Sequence, residues 1–405
     1  MYKLYCRTVQ SAYRICSKIL PWRRPKHLGC YCALAGALRG KGAIFIVTDK
    51  VLTGLGQHDK LIKSLNKEGI ATVVYDSTDQ NPTVGNIENA LSIYKENNCK
   101  AIIAIGGGSP IDCAKGVAVR VALPKKTIPE LRGQLKILLS GKADKMPPIV
   151  AIPTTAGSGS EVSVSAVIRD NRQKYAINDP SLIPQYVLHD PLLTMGLPQN
   201  ITATTGMDAL CHAVEAYIGK SNTHRTEIDA IKAVRLVFGN LYAAYQDGHN
   251  VKARANMQKA AFLAGAAFTR AYVGNIHALS HALSGRYDTP HGLANAVIMP
   301  YVLEAYGKAV EKPLYELAIA AGLATKKTPR AEAASRFIAA IKKMNAKMGI
   351  PDKISELDPT DIPQLVKHAL KEANPLYPVP IILGYNDMVS LYHCLIADKC
   401  RKSSF

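Results

Sequence analysis

Three histidines lie in the short stretch HALSHALSGRYDTPHG, where His277 and His281 are four residues apart and His291 follows a glycine and a proline. Earlier in the chain, Asp208 and His212 repeat the four-residue spacing, which places both side chains on one face of a helix. A single such pair usually lies on a protein surface. Two pairs and a third histidine suit a divalent transition metal with nitrogen and oxygen ligands. The spacing predicts a metal site and leaves five candidates for about four ligand positions.

A glycine-rich turn, AIGGGSPIDCAK, follows an apolar run and precedes a helical period. Gly107 and Gly108 let a phosphate approach the backbone, and the amides and dipole at a helix start favour an anion. The pattern predicts Ser109 as the N-cap residue, Pro110 at the first helical position and Asp112 at the third. These residues fit a pyrophosphate turn, although a capped helix without any nucleotide explains them equally well.

A second polar turn, PTTAGSGSE, supplies the hydroxyl groups of Thr154, Thr155 and Ser158. Two such turns at the carboxyl edge of one sheet form a crevice of the kind where open α/β sheets bind ligands. Asp49 ends an earlier apolar run. Its carboxylate either accepts hydrogen bonds from a ribose diol, which favours NAD over NADP, or caps the next helix.

The elements that position these turns are short apolar runs at 43–49, 70–76, 100–108 and 148–155, separated by amphipathic segments. Continuous apolar strands that alternate with helices predict a parallel sheet covered on both faces. Residues 163–179 predict an additional hairpin.

After Pro191 the sequence becomes rich in alanine and leucine and keeps helical periodicity almost to its end. The predicted fold class is therefore α/β plus all-α, with an N-terminal Rossmann-like dinucleotide-binding domain and a C-terminal helical metal-binding domain. The predicted domains are a basic helical extension, the α/β domain and the helical domain, at residues 1–30, 31–194 and 195–405.

Composition narrows the class of protein. The 405 residues carry a formal charge of +19, and 48% of them are hydrophobic. No uninterrupted apolar run reaches the roughly 18 residues of a membrane span. Nine cysteines without a framework-like spacing predict reduced thiols and a cytoplasmic protein.

The first 41 residues contain nine lysines and arginines and no acidic residue. Their pattern predicts a helix docked on the body of the protein, with a solvated basic face and one apolar stripe, formed by Tyr5, Val9, Ala12, Cys16 and Ile19. A mitochondrial transit peptide and a surface for anionic lipid or nucleic acid are the alternatives.

Four motifs in order, GGGSPIDCAK, PTTAGSGSEVS, GMDALCHAVEAY and HALSHALSGRYDTPHGLANAVIMPYV, resemble the iron-containing, or group III, alcohol dehydrogenase family, which includes lactaldehyde reductase and 1,3-propanediol dehydrogenase. The resemblance begins near Gly36. It implies two domains with an active site in the cleft between them. It also implies the metal ligands Asp208, His212, His277 and His291.

The resemblance places His281 beside the substrate and the nicotinamide, where it either relays a proton to water or packs on the ring. It assigns the two polar turns to the nucleotide and Asp49 to a preference for NAD. Asn81, Asp112 and Lys174 fall where family residues approach the nucleotide. The implied metal is Fe²⁺, for which Zn²⁺ would compete at a nitrogen and oxygen site.

The implied reaction is hydride transfer between a primary alcohol or diol and the nicotinamide. Three imidazoles and one carboxylate leave an open position where an alcohol oxygen binds and loses its proton. The expected partners are a small alcohol or aldehyde and further copies of the chain, in a homodimer or higher oligomer. The alternatives are a glycerol-type dehydrogenase or a dehydroquinate synthase-like enzyme of the same fold, and a basic protein that binds nucleic acid or a membrane.

Overall fold

A six-stranded parallel sheet forms the centre of Pro21–Met195, one of two units into which the chain divides. The other unit comprises Met1–Leu20 and Gly196–Phe405. The computed structural model describes residues 1–20, 22–170 and 173–397. The strands of these residues are β1 (Lys26–His27), β2 (Ile44–Val47), β3 (Thr72–Tyr75), β4 (Ala101–Gly106), β5 (Gly133–Gln134), β6 (Ile149–Pro153), β7 (Ser165–Asp170), β8 (Gln173–Asn178) and β9 (Tyr186–Val187).

The α-helices divide between the two units. Those of Pro21–Met195 are α2 (Tyr31–Leu38), α3 (Lys50–Gly54), α4 (Asp59–Lys67), α5 (Val84–Glu96) and α6 (Gly108–Ala122). Those of the other unit are α1 (Tyr2–Ile19), α7 (Gln199–Ile218), α8 (His224–Gln246), α9 (Val251–Ala271), α10 (Asn275–Tyr287), α11 (His291–Tyr306), α12 (Glu311–Ala320), α13 (Arg330–Lys347), α14 (Ile362–Ala373) and α15 (Tyr385–Leu395).

The strand order of the large sheet is β1-β9-β6-β4-β2-β3, and every neighbouring pair is parallel. Strands β7 and β8 pair antiparallel in a separate three-stranded sheet of order β5-β8-β7. Four apolar runs and the hairpin were predicted from the sequence, and all five are present. The predicted fold class is confirmed.

Central strand β2 shows why the sheet is covered on both faces. Phe45 and Val47 belong to one apolar cluster, together with residues of α5 and α6. Ile44 and Ile46 belong to a second cluster, with residues of α2 and α4. Because successive side chains of a strand point to opposite faces, an uninterrupted apolar run requires helices on both sides.

The helical unit is built from α7 to α15, and α1 packs with it. Helices α7, α8 and α9 contact one another, since their alanines allow close approach of the helix axes. Among the described residues, no helix combines the length and the hydropathy that crossing a membrane requires.

Helix α1 docks by a different face from the one predicted. Tyr5 and Ala12 of the predicted apolar stripe are exposed, whereas Cys6 and Gln10 are buried. Arg7, expected on the solvated basic face, donates hydrogen bonds to main-chain carbonyls of the helical unit. The prediction of the stripe was wrong because the docked face combines Arg7 and Gln10, which donate to main-chain carbonyls, with Cys6, which packs against Val379 and Ile382. The side chains of Cys16 and Ile19 lie outside the described residues.

Candidate functional site

Four of the five candidate metal ligands converge in the helical unit. Helix α7 carries Asp208 and His212, α10 carries His277, and His291 is the first residue of α11. One donor atom from each lies within 4.8 Å of every other, and all but the half-buried His291 are buried. The structure therefore brings together the four residues that the resemblance implied as ligands.

The carboxylate of Asp208 lies among the three rings. Its Oδ1 is 3.6 Å from Nε2 of His291 and 3.9 Å from Nε2 of His277, and its Oδ2 is 3.9 Å from Nδ1 of His212. Donors about 2.1 Å from a tetrahedral metal are roughly 3.4 Å apart, so the distances of 3.6 to 3.9 Å from Asp208 are close to those of a metal site. Burial, followed by the neighbouring imidazoles, holds the pKa of His277 well below its ordinary value. A neutral imidazole is the form that ligates a metal, so the donor set fits a divalent cation.

Glu215 stands behind His277 and was missed by the sequence analysis. Its Oε2 lies 2.5 Å from Nδ1 of His277, while its two oxygens accept from the backbone N–H groups of Gly274 and Ile276 at 2.8 Å. Burial raises the pKa of Glu215 to about 7. A hydrogen bond at Nδ1 fixes the tautomer and turns Nε2 towards Asp208. A sequence signal existed, since Glu215 is seven residues from Asp208 and shares its helical face.

Asn295 is the second contributor that the sequence analysis missed. Its Nδ2 donates to Oδ1 of Asp208 at 2.8 Å and lies 3.2 Å from Nε2 of His277 and 3.1 Å from Nε2 of His291. Asn295 follows His291 by one helical turn on α11, and it is fully buried. One amide thus orients the carboxylate relative to two rings.

A glycine allows the start of α11 to approach α7. A Cβ atom at Gly292 would lie 2.4 Å from the carbonyl oxygen of Thr204 and 3.4 Å from Cβ of Asp208. The adjacent His291 is further oriented by Ser280, whose Oγ is 3.3 Å from its Nδ1. The glycine is therefore a steric requirement of the four-residue cluster.

His281 lies next to this cluster but outside it. Its ring stacks on His291 with centroids 4.9 Å apart, and its Nδ1 is 2.6 Å from Oε1 of Glu372. The same oxygen accepts from the hydroxyl of Tyr377 at 2.7 Å. Glu372 is far from His281 in the sequence, and no local pattern connects the two. The rings of His277 and His281 meet edge to face with centroids 5.8 Å apart, but their Nδ1 atoms have different partners, Glu215 and Glu372.

In the α/β unit, the glycine-rich turn starts its helix earlier than predicted. Helix α6 begins at Gly108 with Gly107 as its N-cap residue, and no side chain caps it. The predicted N-cap, Ser109, instead donates its hydroxyl to the carbonyl of Gln80. The predicted cap was wrong because that hydroxyl, on the second residue of α6, is bonded to the loop that precedes α5. The first amides of α6 consequently have no capping side chain among the described residues.

The two polar turns lie side by side, because β4 and β6 are parallel neighbours and both turns follow their carboxyl ends. A Cβ atom at Gly107 would be 3.4 Å from the side chain of Thr155, and one at Gly108 would be 3.1 Å from Oγ of Ser158. Thr154 is buried, and its N–H donates to the carbonyl of Gly106 at 2.9 Å. The glycines thus allow the side chains of Thr155 and Ser158 to lie close to the first turn.

Asp112 and Lys115 of α6 are hydrogen-bonded to the second polar turn and to the residues that follow it. Asp112 accepts from Val167 N at 3.0 Å and from the hydroxyl of Ser160. The ammonium of Lys115 donates to the carbonyls of Ser163 and Ser165 at 3.0 and 2.7 Å. Lys115 is fully buried, and burial lowers its pKa to about 8, against the raising effect of Asp112. Asp112, expected to approach the nucleotide, is buried and bonded within the protein.

The remaining predicted nucleotide residues are placed as follows. Asp49 is the N-cap of α3 and accepts from Leu52 N at 3.0 Å, so the capping interpretation holds in the structure. Asn81 lies half-buried in the turn before α5. The next residue of that turn accepts from the N–H of Arg169, the cross-strand partner of Lys174. The turn of Asn81 and the hairpin of Lys174 are therefore joined.

Comparisons with known proteins cover both units. Residues 27–191 match the family described as iron-containing alcohol dehydrogenase. Residues 202–396 match the C-terminal part of the Fe-containing alcohol dehydrogenase family.

Individual relatives agree with the family matches. The chain is 38% identical to a 1,3-propanediol dehydrogenase of Citrobacter freundii, over 86% of this chain and 89% of the relative. It is 32% identical to a lactaldehyde reductase of Escherichia coli K12, over 88% and 92%. The solved alcohol dehydrogenase from Oenococcus oeni is similar with a TM-score of 0.86 and 32% identity, covering 92% of this chain and 99% of that one.

Proposed function

The chain belongs to the iron-containing alcohol dehydrogenase family, and from this premise we propose that it transfers hydride between a primary alcohol or diol and NAD⁺, with an aldehyde and NADH in reverse. The observation that carries the proposal is the convergence of four donor atoms within 4.8 Å of one another in the helical unit. These donors belong to the proposed ligands Asp208, His212, His277 and His291.

We propose Fe²⁺ as the resident ion, with Zn²⁺ as its competitor, since one carboxylate and three imidazoles suit either. These residues would hold a divalent ion, which would supply Lewis acidity that lowers the pKa of an alcohol or polarises an aldehyde. The chain keeps the donors oriented for it. Glu215 fixes the tautomer of His277, and Asn295 holds the Asp208 carboxylate.

His281 is the proposed residue at the reacting group. The Nδ1 atom of His281 faces Glu372. We propose that Nε2 exchanges a proton with the substrate, or that the ring packs against the nicotinamide. In either role, removal of the His281 imidazole should lower turnover. Neither role requires His281 for metal binding.

The two polar turns are the proposed dinucleotide site. The uncapped first amides of α6 and the helix dipole favour a pyrophosphate, and Gly107 and Gly108 place no side chain of their own against it. The proposed cofactor residues are Asp49, Asn81, Gly107, Gly108, Ser109, Asp112, Thr154, Thr155, Ser158 and Lys174. Of these, Asp112 acts indirectly, because its carboxylate holds Ser160 and Val167 in position. The helix cap uses Oδ1 of Asp49. We assign the other carboxylate oxygen to a ribose diol, and its charge would repel a 2′-phosphate, which supports NAD over NADP.

A panel of alcohols, diols and aldehydes, followed by NADH absorbance with anaerobically purified protein, tests the proposal. Elemental analysis of the same sample identifies the ion. We expect turnover with a primary alcohol or diol and about one divalent ion per chain. Turnover with glycerol alone would favour the glycerol-type alternative, and the absence of net NADH formation with every alcohol would contradict the proposal. The homodimeric or higher oligomeric state and the cytoplasmic location stay predictions.

A further inference from the structure

Helix α1 lies outside both family matches, the first of which begins at residue 27, yet it is bonded to the helical unit at defined atoms. We propose that α1 is a brace that positions His281 by fixing the residues that hold Glu372 against it. This inference rests on the proposed function of His281. Arg7 and Gln10 are its positioning residues, and they touch no reacting atom.

The first contact is with the segment 377–380, which follows α14. The guanidinium of Arg7 donates to the carbonyls of Val379 and Pro380 at 2.7 and 2.8 Å, and to Oε1 of Gln10 at 2.8 Å. Gln10 in turn donates to the carbonyl of Tyr377 at 2.7 Å. Three of four consecutive carbonyls therefore take a donor from α1. Removing Arg7 takes the donor from the partly buried carbonyls of Val379 and Pro380, while the carbonyl of Tyr377 keeps the N–H of Val379 at 2.8 Å as a second donor. The loss of two donors should loosen the segment.

The second contact is with Tyr272, which ends α9. Its backbone has φ 67° and ψ 174°, a region that residues other than glycine rarely adopt. The hydroxyls of Tyr13 and Tyr272 are hydrogen-bonded, and their rings meet edge to face with centroids 4.9 Å apart. The ring of Tyr272 is 6.3 Å from that of Tyr377. A residue keeps such a strained backbone conformation only where its neighbours hold it there. Tyr13 of α1 is one of the neighbours that hold Tyr272.

Tyr377 connects both contacts with Glu372 and His281. Its hydroxyl donates to Oε1 of Glu372 at 2.7 Å, and the same oxygen lies 2.6 Å from Nδ1 of His281. The side chains of His281 and Glu372 are 23% and 31% exposed, so water competes for their hydrogen bond. A partly solvated pair depends on its neighbours for its orientation. Here the neighbour is Tyr377, whose carbonyl accepts a hydrogen bond from Gln10 of α1.

A double-mutant cycle tests the brace in the metal-loaded full chain. Arg7→Ala and Glu372→Gln should each lower kcat roughly tenfold, with a smaller change in KM for the alcohol. The double variant should lose no more than Glu372→Gln alone, because the two residues act through one contact. Lys3→Ala removes the same charge from an exposed position of α1 and should keep wild-type kcat. Metal content should be unchanged throughout.

Hydrogen–deuterium exchange of the peptides 275–287 and 374–383 provides a readout that does not depend on turnover. Both should exchange faster in Arg7→Ala than in Lys3→Ala. Kcat losses that multiply in the double variant, or exchange equal to that of wild type, would overturn the proposal. If Arg7→Ala does not fold, Gln10→Ala enters the same cycle. A wild-type enzyme that oxidises no alcohol would refute the proposed function, while the exchange of both peptides would still decide the brace.

Discussion

Glu215 Oε2 lies 2.5 Å from Nδ1 of His277, and the opposite nitrogen of that ring faces Asp208 at 3.9 Å. A buried carboxylate therefore holds one proposed ligand from behind while a second carboxylate takes part in the donor set. Carboxylate partners of this kind fix ring orientation and raise the basicity of the ligating nitrogen. Under the proposed assignment, two residues of one helix, seven positions apart, have different tasks at the same histidine.

Replacing Glu215 by glutamine should weaken metal binding by about 10- to 100-fold. The amide is isosteric but carries no charge, and it donates where the N–H groups of Gly274 and Ile276 also donate. Metal affinity can be measured by competition with a chelator. The control is Glu316→Gln, which replaces a glutamate that accepts from Tyr217 away from the histidines and should retain the ion. Equal affinities in both variants would refute the role of Glu215.

Gly292→Ala should separate α11 from α7 and destabilise the helical unit by about 1–3 kcal/mol. The new Cβ would lie 2.4 Å from a backbone oxygen, which cannot rotate away as a side chain does. Because His291 is the preceding residue, metal content should fall with stability. Gly239→Ala is the matched control, since a Cβ there meets nothing within 4 Å. That helix substitution should be stabilising by roughly 0.5–1 kcal/mol. Wild-type metal content in Gly292→Ala would contradict the steric argument.

Lys115 predicts a pH dependence of stability. Burial lowers its pKa from 10.5 to about 8 in the folded chain. Between about pH 8 and pH 10.5 the unfolded chain therefore binds a proton that the folded chain does not, and the free energy of unfolding rises with pH. Denaturant unfolding at pH 8, 9 and 10 should show wild type gaining stability relative to Lys115→Met. Parallel pH profiles for the two proteins would contradict the assignment.

The sheet was predictable because its strands are buried on both faces, which leaves an unbroken apolar run in the sequence. The four-residue spacings of Asp208 with His212 and of His277 with His281 likewise follow from helix geometry. Spacing could not show that His277 and His281 have different neighbours, since that depends on Glu215 and on the distant α14.

Two errors have a common physical cause. Ser109 was predicted as a helix cap, but its hydroxyl donates to the carbonyl of Gln80. In α1 an apolar stripe was predicted to dock, but Arg7 and Gln10 bind carbonyls of a segment more than 360 residues away. In both cases a polar side chain donates a hydrogen bond to a carbonyl that is distant in the sequence, and no local sequence pattern reveals that partner.

The separation of His277 from His281 is the central claim, and metal content after single substitution tests it most directly. Elemental analysis of anaerobically purified His277→Ala and His281→Ala should find that His277→Ala has lost its divalent ion. His281→Ala should retain about one ion per chain while losing much of its turnover. Retained metal in His277→Ala together with lost metal in His281→Ala would contradict the account.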